Sequence, residues 1–143
     1  MSTEENKALV RRFWNGLNKG DIDAMMEMVA PDAVDHGIPP GSPSGPKGIR
    51  QMITTSIRAF PDLHFTIEDM IAEGDKVVCR ISQTGTNTGE LMGMPPTGKQ
   101  VKVTSIGIFR IENGKLVEHW SNQDDLGRMQ QLGIVPMPGQ AQV

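Results

Sequence analysis

The first sixty residues carry apolar side chains at helical spacing, separated by residues that start or stop helices. The first predicted helix begins at a capping box on Ser2 and ends near Gly20. Asp21 caps a second, short helix that Pro31 ends. Pro46 opens a third helix that ends before Pro61. The N-terminal part of the chain is therefore predicted to be helical.

After Pro61 the apolar positions alternate with polar ones, which is the pattern of half-buried strands. Predicted turns at 72–75 and at Asn113-Gly114 join neighbouring strands into antiparallel hairpins. The predicted strands cover 63–67, 77–81, 101–111 and 116–123. Helices followed by a strand meander predict an α+β fold. The chain of 143 residues is expected to be one domain, with an ordered core over about 3–135.

Two segments rich in glycine and proline, 35–46 and 85–98, interrupt the periodic elements. Loops of this length within one domain are often functional, so both are candidates for the rim of a cavity.

The charge pattern excludes several classes of partner. The formal net charge is −3, and the 14 basic residues form no sustained cluster, which argues against nucleic acid and against a charged membrane surface. No apolar run approaches the ~20 residues of a membrane span. Cys79 is the single cysteine, so no disulfide and no Cys/His metal pattern is expected. These features favour a cytoplasmic protein that binds a small, hydrophobic molecule.

The chain resembles the SnoaL-like polyketide cyclases of the NTF2-like superfamily over nearly its whole length. The matching segments are Asp35-His36 with its Pro/Gly loop, 72–77, 89–99, 114–120 and the closing Gln131-Leu132-Gly133. The resemblance implies a cystatin-like conical fold, in which N-terminal helices pack on a strongly curved, mainly antiparallel sheet that encloses a pocket. It further implies a homodimer and chemistry that uses no cofactor and no metal.

The resemblance also implies an acid/base aspartate at the end of the last strand, and the matching position is Asp124. Burial beside Trp120 would raise the pKa of such a carboxyl. Strand alternation places Trp120, Asn122 and Asp124 on one face, with Asp125 as the cap of the last helix. The alternative is that Asp124 itself caps that helix, and composition alone does not separate the two acids.

His36 is the second catalytic candidate, because an imidazole beside a loop can donate to a carbonyl or relay a proton. The alternative is a structural histidine tethered by Asp35. His119 points away from Asp124 in ideal alternation and is a weaker candidate. The candidates for substrate binding are Asn87, Asn122, Trp120, Trp14, Met92 and Met94. For each of them, ordinary core packing or backbone hydrogen bonding is the alternative.

The function predicted from the resemblance is cofactor-independent acid/base catalysis on a hydrophobic carbonyl compound, by intramolecular aldol cyclisation or a related lyase- or isomerase-type reaction. Many relatives carry histidine where this chain has Asn87, which cannot exchange a proton at neutral pH. Two alternatives remain open: a non-catalytic protein that binds a small hydrophobic ligand, and a domain whose role is assembly through its sheet.

Overall fold

The computed structural model describes residues 2–139 and confirms the α+β fold. Its elements in chain order are α1 (Thr3–Asn18), α2 (Ile22–Glu27), β1 (Val29–Asp35), α3 (Gly45–Ala59), β2 (His64–Glu73), β3 (Lys76–Thr86), β4 (Gln100–Glu112), β5 (Lys115–Gln123) and α4 (Asp125–Gln131). The predicted third helix and the predicted hairpins are present, and β2 and β3 extend beyond the predicted 63–67 and 77–81.

The starts of the helices follow the predicted capping chemistry. Ser2 and Glu5 form a capping box in which each side chain accepts from the backbone of the other residue. Asp21 accepts from the Ala24 amide at 3.1 Å, which satisfies one free N–H of α2. Pro46 lies in the first turn of α3, where its missing N–H costs no hydrogen bond.

The sheet contains a strand that the sequence pattern did not predict. Its order is β1-β5-β4-β3-β2, with β1 parallel to β5 and all other neighbours antiparallel. Val29, expected on the face of the second helix, instead begins β1. Pro31 fits this strand because β1 is an edge strand, where a missing backbone donor is tolerated.

The helices cover one face of the sheet and form the core with it. Helix α1 packs on β2 and β3, and α3 packs on β1. Shifts of register interrupt the pairing of β1 with β5, β2 with β3, and β4 with β5, and such bulges increase the local twist and bend a sheet. The bent sheet and the covering helices leave an interior space between them.

Among residues 2–139, no helix combines the length and the apolar character that crossing a bilayer requires. The same residues contain no group of three or more His, Cys, Asp or Glu side chains placed to hold a metal ion.

Candidate active site

A cavity of about 690 Å³ lies between the inner face of the sheet and helices α1 and α3. Its wall is mostly apolar and aromatic, which is typical of sites for small hydrophobic ligands. Its polar side chains include Asp35, Gln51, Gln83, Ser105, His119, Ser121, Gln123 and Asp125. The loop after β1 and the loop that contains Met92 both contribute to the rim.

Asp35 and His119 form a carboxylate–imidazole pair in the wall of this cavity. Asp35 Oδ2 lies 3.0 Å from His119 Nδ1, and the two residues are paired across the parallel strands β1 and β5. The Asp35 side chain is 6 % exposed and that of His119 is 19 % exposed. The Gly37 amide donates to Asp35 Oδ1 at 2.8 Å, so both carboxylate oxygens are bonded.

The environment of Asp35 keeps its carboxyl ionised. Burial by itself would raise the pKa of Asp35, but the hydrogen bond and the charge of His119 act in the opposite direction, as do the Gly37 amide and His36. Their combined effect holds the pKa of Asp35 below its ordinary value. A permanent carboxylate on Nδ1 favours the imidazole tautomer that carries its proton there.

The other ring nitrogen of His119 faces a space that a glycine keeps open. A Cβ atom at Gly107 would lie 3.0 Å from His119 Nε2, so any side chain at this position would crowd the imidazole. Ser121 pairs with Gly107 across β5 and β4 and lines the same part of the cavity. Nε2 has no hydrogen-bond partner among residues 2–139. This nitrogen therefore keeps its hydrogen-bonding capacity for a bound molecule.

An aromatic ring stacks on the imidazole of His119. Phe109, its partner across β4 and β5, stacks on it with ring centroids 4.2 Å apart and planes 22° from parallel. Stacking and the Asp35 contact together fix the position and the orientation of the ring. Such preorganisation is what a general base requires.

The structure places Asp124 at the start of α4, outside the cavity lining. Asp124 is exposed, and its Oδ1 accepts from the Gly127 amide at 2.9 Å as the N-cap of α4. Asp125, expected to be the cap, is instead the first residue of the helix, bonds to Arg128 and contributes to the cavity wall. The acid/base role of Asp124 stays a prediction, for which its position supplies no contact with the cavity.

The face of β5 that lines the cavity is not the face on which the predicted site residues lie. Strand alternation is observed, but His119, Ser121 and Gln123 line the cavity, whereas Trp120 and Asn122 point to the opposite face of the sheet. Both were expected to bind substrate, and neither reaches the cavity. The reason is that helices α1 and α3 cover the face of the sheet on which His119, Ser121 and Gln123 lie.

His36 also lies on that opposite face. Its ring stacks on Trp120 with centroids 5.2 Å apart, and its Nε2 lies 2.6 Å from Glu118 Oε2. Arg110 Nε donates to Glu118 Oε1 at 3.0 Å. The hydrogen bonds of Glu118 to His36 and Arg110 outweigh its desolvation and lower its pKa. Asp35 does not tether His36, as the sequence had suggested, but contacts His119 on the cavity side.

Asn87 is fully occupied by structural hydrogen bonds. It is 1 % exposed, and its Nδ2 donates to the Ala59 and Gly89 carbonyls. Its Oδ1 accepts from the amide and the hydroxyl of Thr97, both at 2.9 Å. Asn87 does not line the cavity, so its position opposes the expected contact with substrate. It instead fastens the loop 88–98 to the end of α3.

Two of the three remaining candidates for substrate binding, Trp14 and Met92, line the cavity. Trp14 lines the cavity, as expected for a ligand contact, and stacks on Phe65 with centroids 4.8 Å apart. Met92 contributes to the rim, whereas Met94 is paired with Leu91 in a tight turn and is not part of the lining. Cys79 lines the wall, and burial raises the pKa of its thiol to about 11, so that it stays protonated.

Sequence reasoning missed Asp35, His119 and Ser121 as residues of one site. The available signal was the period of two, which groups His119 with Ser121 and Gln123. Its phase was ambiguous because Leu116 and Val117 are both apolar and both buried, next to a shift of register. Asp35 carried no signal because β1 itself was not predicted.

The fold and the site define an NTF2-like protein with a mostly apolar cavity large enough for a small molecule. Residues 7–132 match the family model for SnoaL-like polyketide cyclases. The chain belongs to this family.

Curated relatives and solved structures agree with this assignment. The aklanonic acid methyl ester cyclase DnrD of Streptomyces peucetius is 30% identical over 136 residues, covering 93% of this chain and 92% of that protein. The nogalonic acid methyl ester cyclase of Streptomyces nogalater is 30% identical over 125 residues, covering 83% and 90%. The structure of TsrD from Streptomyces laurentii superposes with a TM-score of 0.86 at 30% identity, covering 94% of this chain and 99% of that one.

Proposed function

We propose that this protein closes a ring in a polyketide by intramolecular aldol addition, with His119 as the general base and Asp35 as its orienting partner. The observation that carries the proposal is the 3.0 Å contact between Asp35 Oδ2 and His119 Nδ1 inside the cavity. It leaves His119 Nε2 free above Gly107. This arrangement, a carboxylate that holds an imidazole in one tautomer, is the usual means of aiming a histidine base.

The reaction needs one proton to be taken and then returned. His119 Nε2 removes a proton from a carbon that lies between two carbonyl groups of the substrate, where the resulting enolate is stabilised. The enolate carbon bonds to a ketone carbon of the same molecule, and the electron pair of that C=O bond moves to its oxygen. The oxygen then takes the proton from the imidazolium of His119. One C–C bond forms and no atom leaves, so no redox partner is required.

Asp35 and Ser121 stabilise the charges that appear during this sequence. The Asp35 carboxylate faces the imidazolium that His119 becomes, and its lowered pKa keeps it ionised throughout. The Ser121 hydroxyl, on the same wall, is the donor that we assign to the enolate oxygen. The apolar wall excludes much of the water that would weaken both interactions.

The relatives support the proposed substrate class. DnrD acts on aklanonic acid methyl ester and the Streptomyces nogalater protein acts on nogalonic acid methyl ester. The size of the cavity and its aromatic wall around Trp14 support a flat, fused-ring polyketide ester as the substrate of this chain.

The direct test is to incubate the protein with each of these two methyl esters and to separate substrate from cyclised product by liquid chromatography. We expect the wild type to cyclise at least one of them and His119→Gln to lose the activity. Tight binding of both esters without any product from the wild type would contradict the proposed enzymatic activity. It would favour the alternative of a non-catalytic ligand-binding protein.

We also propose that a second copy of the chain covers the outer face of the sheet. Paired positions form an apolar row across four strands, consisting of Ile71, Val78, Ile108 and Trp120. Ile71 is 65 % exposed, and Ile106 beside this row is 54 % exposed. Neighbouring charges are already paired, as in Arg80 with Asp69, so two such faces can meet without unpaired like charges. Sedimentation of the wild type and of Ile106→Lys tests the homodimer.

Domain organisation, cellular compartment and enzyme class can also be proposed. We propose a single domain in the cytoplasm, where a lone buried thiol such as Cys79 stays reduced. An aldol closure of this kind would place the enzyme among the lyases or isomerases.

A further inference from the structure

Gln83 is a buried polar residue whose side chain has no partner in residues 2–139. It lies on the inner face of β3, is 7 % exposed and forms part of the cavity wall. None of the side-chain hydrogen bonds found in this part of the chain involves its amide. An amide in such a place has two donor hydrogens and an acceptor oxygen that the fold does not use.

The amide of Gln83 is open to the cavity rather than sealed in the core. Its atoms are not among the fully enclosed, unpaired side-chain atoms of residues 2–139, so they keep contact with the cavity space. Asn87 shows the contrast, because all four of its hydrogen-bonding contacts are made within the protein. A buried amide left without protein partners is costly unless another molecule completes its hydrogen bonds.

Gln83 and His119 lie at opposite ends of the inner face of the sheet. Gln83 pairs with Val103 of β4, and His119 pairs with Phe109 of the same strand. The offset of six residues from Val103 to Phe109 corresponds to roughly 20 Å along a strand. The side chains of Ser105 and Gln123, paired between the two ends, also line the cavity. The cavity therefore has a proton-transfer end and a separate amide end.

We propose that Gln83 is a specificity-determining residue that binds a phenolic hydroxyl or ring carbonyl at the end of the polyketide remote from the reacting carbon. The inference rests on the proposed function for the identity of the ligand class. The Gln83 carbonyl accepts from a phenolic O–H, and its NH₂ group donates to a phenol or carbonyl oxygen. An oxygen substituent at the distal ring is thus recognised, whereas an alkyl group of the same size leaves the amide unpaired.

The distance between Gln83 and His119 also makes binding depend on the length of the ligand. A flat ligand held at the amide end presents its other end to His119 Nε2, so the distance between the two ends selects ligands of several fused rings. Molecules that lack the distal oxygen can enter the apolar cavity but are not held at a fixed depth. We therefore expect Gln83 to affect the KM for a substrate more than the kcat.

The test uses two probes of matched shape, 2-hydroxyanthraquinone and 2-methylanthraquinone, and measures their dissociation constants by quenching of tryptophan fluorescence. We expect the wild type to bind the hydroxyl probe about tenfold more tightly than the methyl probe, a difference that one hydrogen bond accounts for. In Gln83→Leu this preference should disappear. Equal affinities of the wild type for both probes, or an unchanged preference in Gln83→Leu, would overturn the proposal.

A second measurement separates a ligand contact from a structural role. Because its amide has no protein partner, Gln83→Leu should leave the melting temperature of the ligand-free protein unchanged or raise it. The matched control is Gln131→Leu, outside this cavity, whose amide bonds to both the amide and the carbonyl of Lys102. That control should lower the melting temperature and retain the probe preference. A lowered melting temperature in Gln83→Leu would contradict the proposal.

The probe-binding test and the cyclisation assay can fail independently of each other. The probes bind without any reaction, so a hydroxyl preference that Gln83→Leu removes supports the amide subsite even if no ester is cyclised. Conversely, cyclisation by the wild type with no probe preference would leave the His119 mechanism in place and reject the role of Gln83.

Discussion

Asp35 and His119 lie directly opposite each other on the parallel strands β1 and β5, with Asp35 Oδ2 3.0 Å from His119 Nδ1. Paired residues on neighbouring parallel strands point their side chains to the same face of the sheet. The Asp35 carboxylate and the His119 imidazole therefore both lie on the cavity side. The chain connects these strands through α3 and three further strands. The site therefore depends on the long-range closure of the edge strand β1.

The first prediction concerns the base. His119→Gln keeps a side chain of similar size but cannot take up a proton, so we expect the kcat for ester cyclisation to fall by about 10²- to 10⁴-fold. The KM should change by less than about threefold, because the apolar wall is intact. Steady-state kinetics by chromatography measure both constants. His64→Gln, at an exposed position on β2, is the matched control and should behave as the wild type. A kcat for His119→Gln within about threefold of the wild type would exclude the imidazole as the base.

The second prediction is the pH dependence of stability that Asp35 causes. Its folded-state pKa is lowered, so its contribution to the free energy of unfolding is present above the unfolded pKa of about 3.9 and is lost as the pH falls through the folded value. Asp35→Asn removes this contribution. At pH 7 we expect the variant to be less stable by about 1.5 to 3 kcal/mol, the usual range for a hydrogen bond to a charged group.

Urea denaturation at a series of pH values from 7 to 3 measures this difference. The gap between the wild type and Asp35→Asn should narrow below about pH 4. Glu5, Asp62 and Glu118 also have lowered pKa values, but they are present in both proteins, so the difference isolates Asp35. A gap that stays constant down to pH 3 would show that Asp35 is not stabilised as a carboxylate.

The third prediction separates the two roles of Asp124. As the N-cap of α4 it accepts from the Gly127 amide, so Asp124→Ala should destabilise the protein by about 1 kcal/mol. Asparagine caps a helix nearly as well but is not an acid, so Asp124→Asn should keep both the stability and the kcat. Thermal unfolding and the cyclisation assay measure the pair. A large fall of kcat in Asp124→Asn with unchanged stability would instead restore the acid/base role that the family resemblance implies.

The fourth prediction concerns Asn87, which fastens loop 88–98. Asn87→Ala leaves the Ala59 carbonyl and the Thr97 amide without these partners, so we expect a loss of about 2 to 3 kcal/mol in the free energy of unfolding. The kcat should be unchanged at a temperature where the variant is folded, because Asn87 is outside the cavity lining. A raised KM with unchanged stability would show that Asn87 contacts the substrate after all.

Local patterns predicted most of the fold. Apolar periodicity and capping or turn residues predict the helices α1 and α3 and the hairpin of β2 with β3. These signals all lie within short stretches of sequence. Strand β1 was not predicted, because its seven residues include Pro31 and its pairing with β5 is formed with residues more than eighty positions away. A parallel edge strand is specified by tertiary packing, which a local pattern does not contain.

The same limit explains the candidate site. Alternation in β5 grouped its side chains correctly into two sets, but the packing of α1 and α3 on one face of the sheet decides which set faces the cavity. Asp124 had the right residue type and place in the chain, yet its carboxylate is used by the first turn of α4. Trp14 lines the cavity because a helix that packs on a sheet turns its apolar stripe inward, and its contact with substrate stays a prediction.

The last prediction tests whether Nε2 of His119 is the working atom. The added methyl group of Gly107→Ala would lie 3.0 Å from this nitrogen, which is close enough to displace the ring or to block a substrate carbon from it. We expect the kcat to fall by about 10- to 100-fold, as small misplacements at a reacting centre do. The same atom would also lie 3.1 Å from the Trp120 carbonyl, so some loss of stability is expected in any background.

A double-mutant cycle distinguishes these two effects. If Gly107→Ala acts on the rate through Nε2, it should lower the kcat of the wild type but hardly change the residual kcat of His119→Gln. Its cost in stability should be similar in both backgrounds, as measured by urea denaturation. Equal fractional losses of kcat in the two backgrounds would mean that Gly107 acts independently of His119, and the assignment of Nε2 as the base would then be wrong.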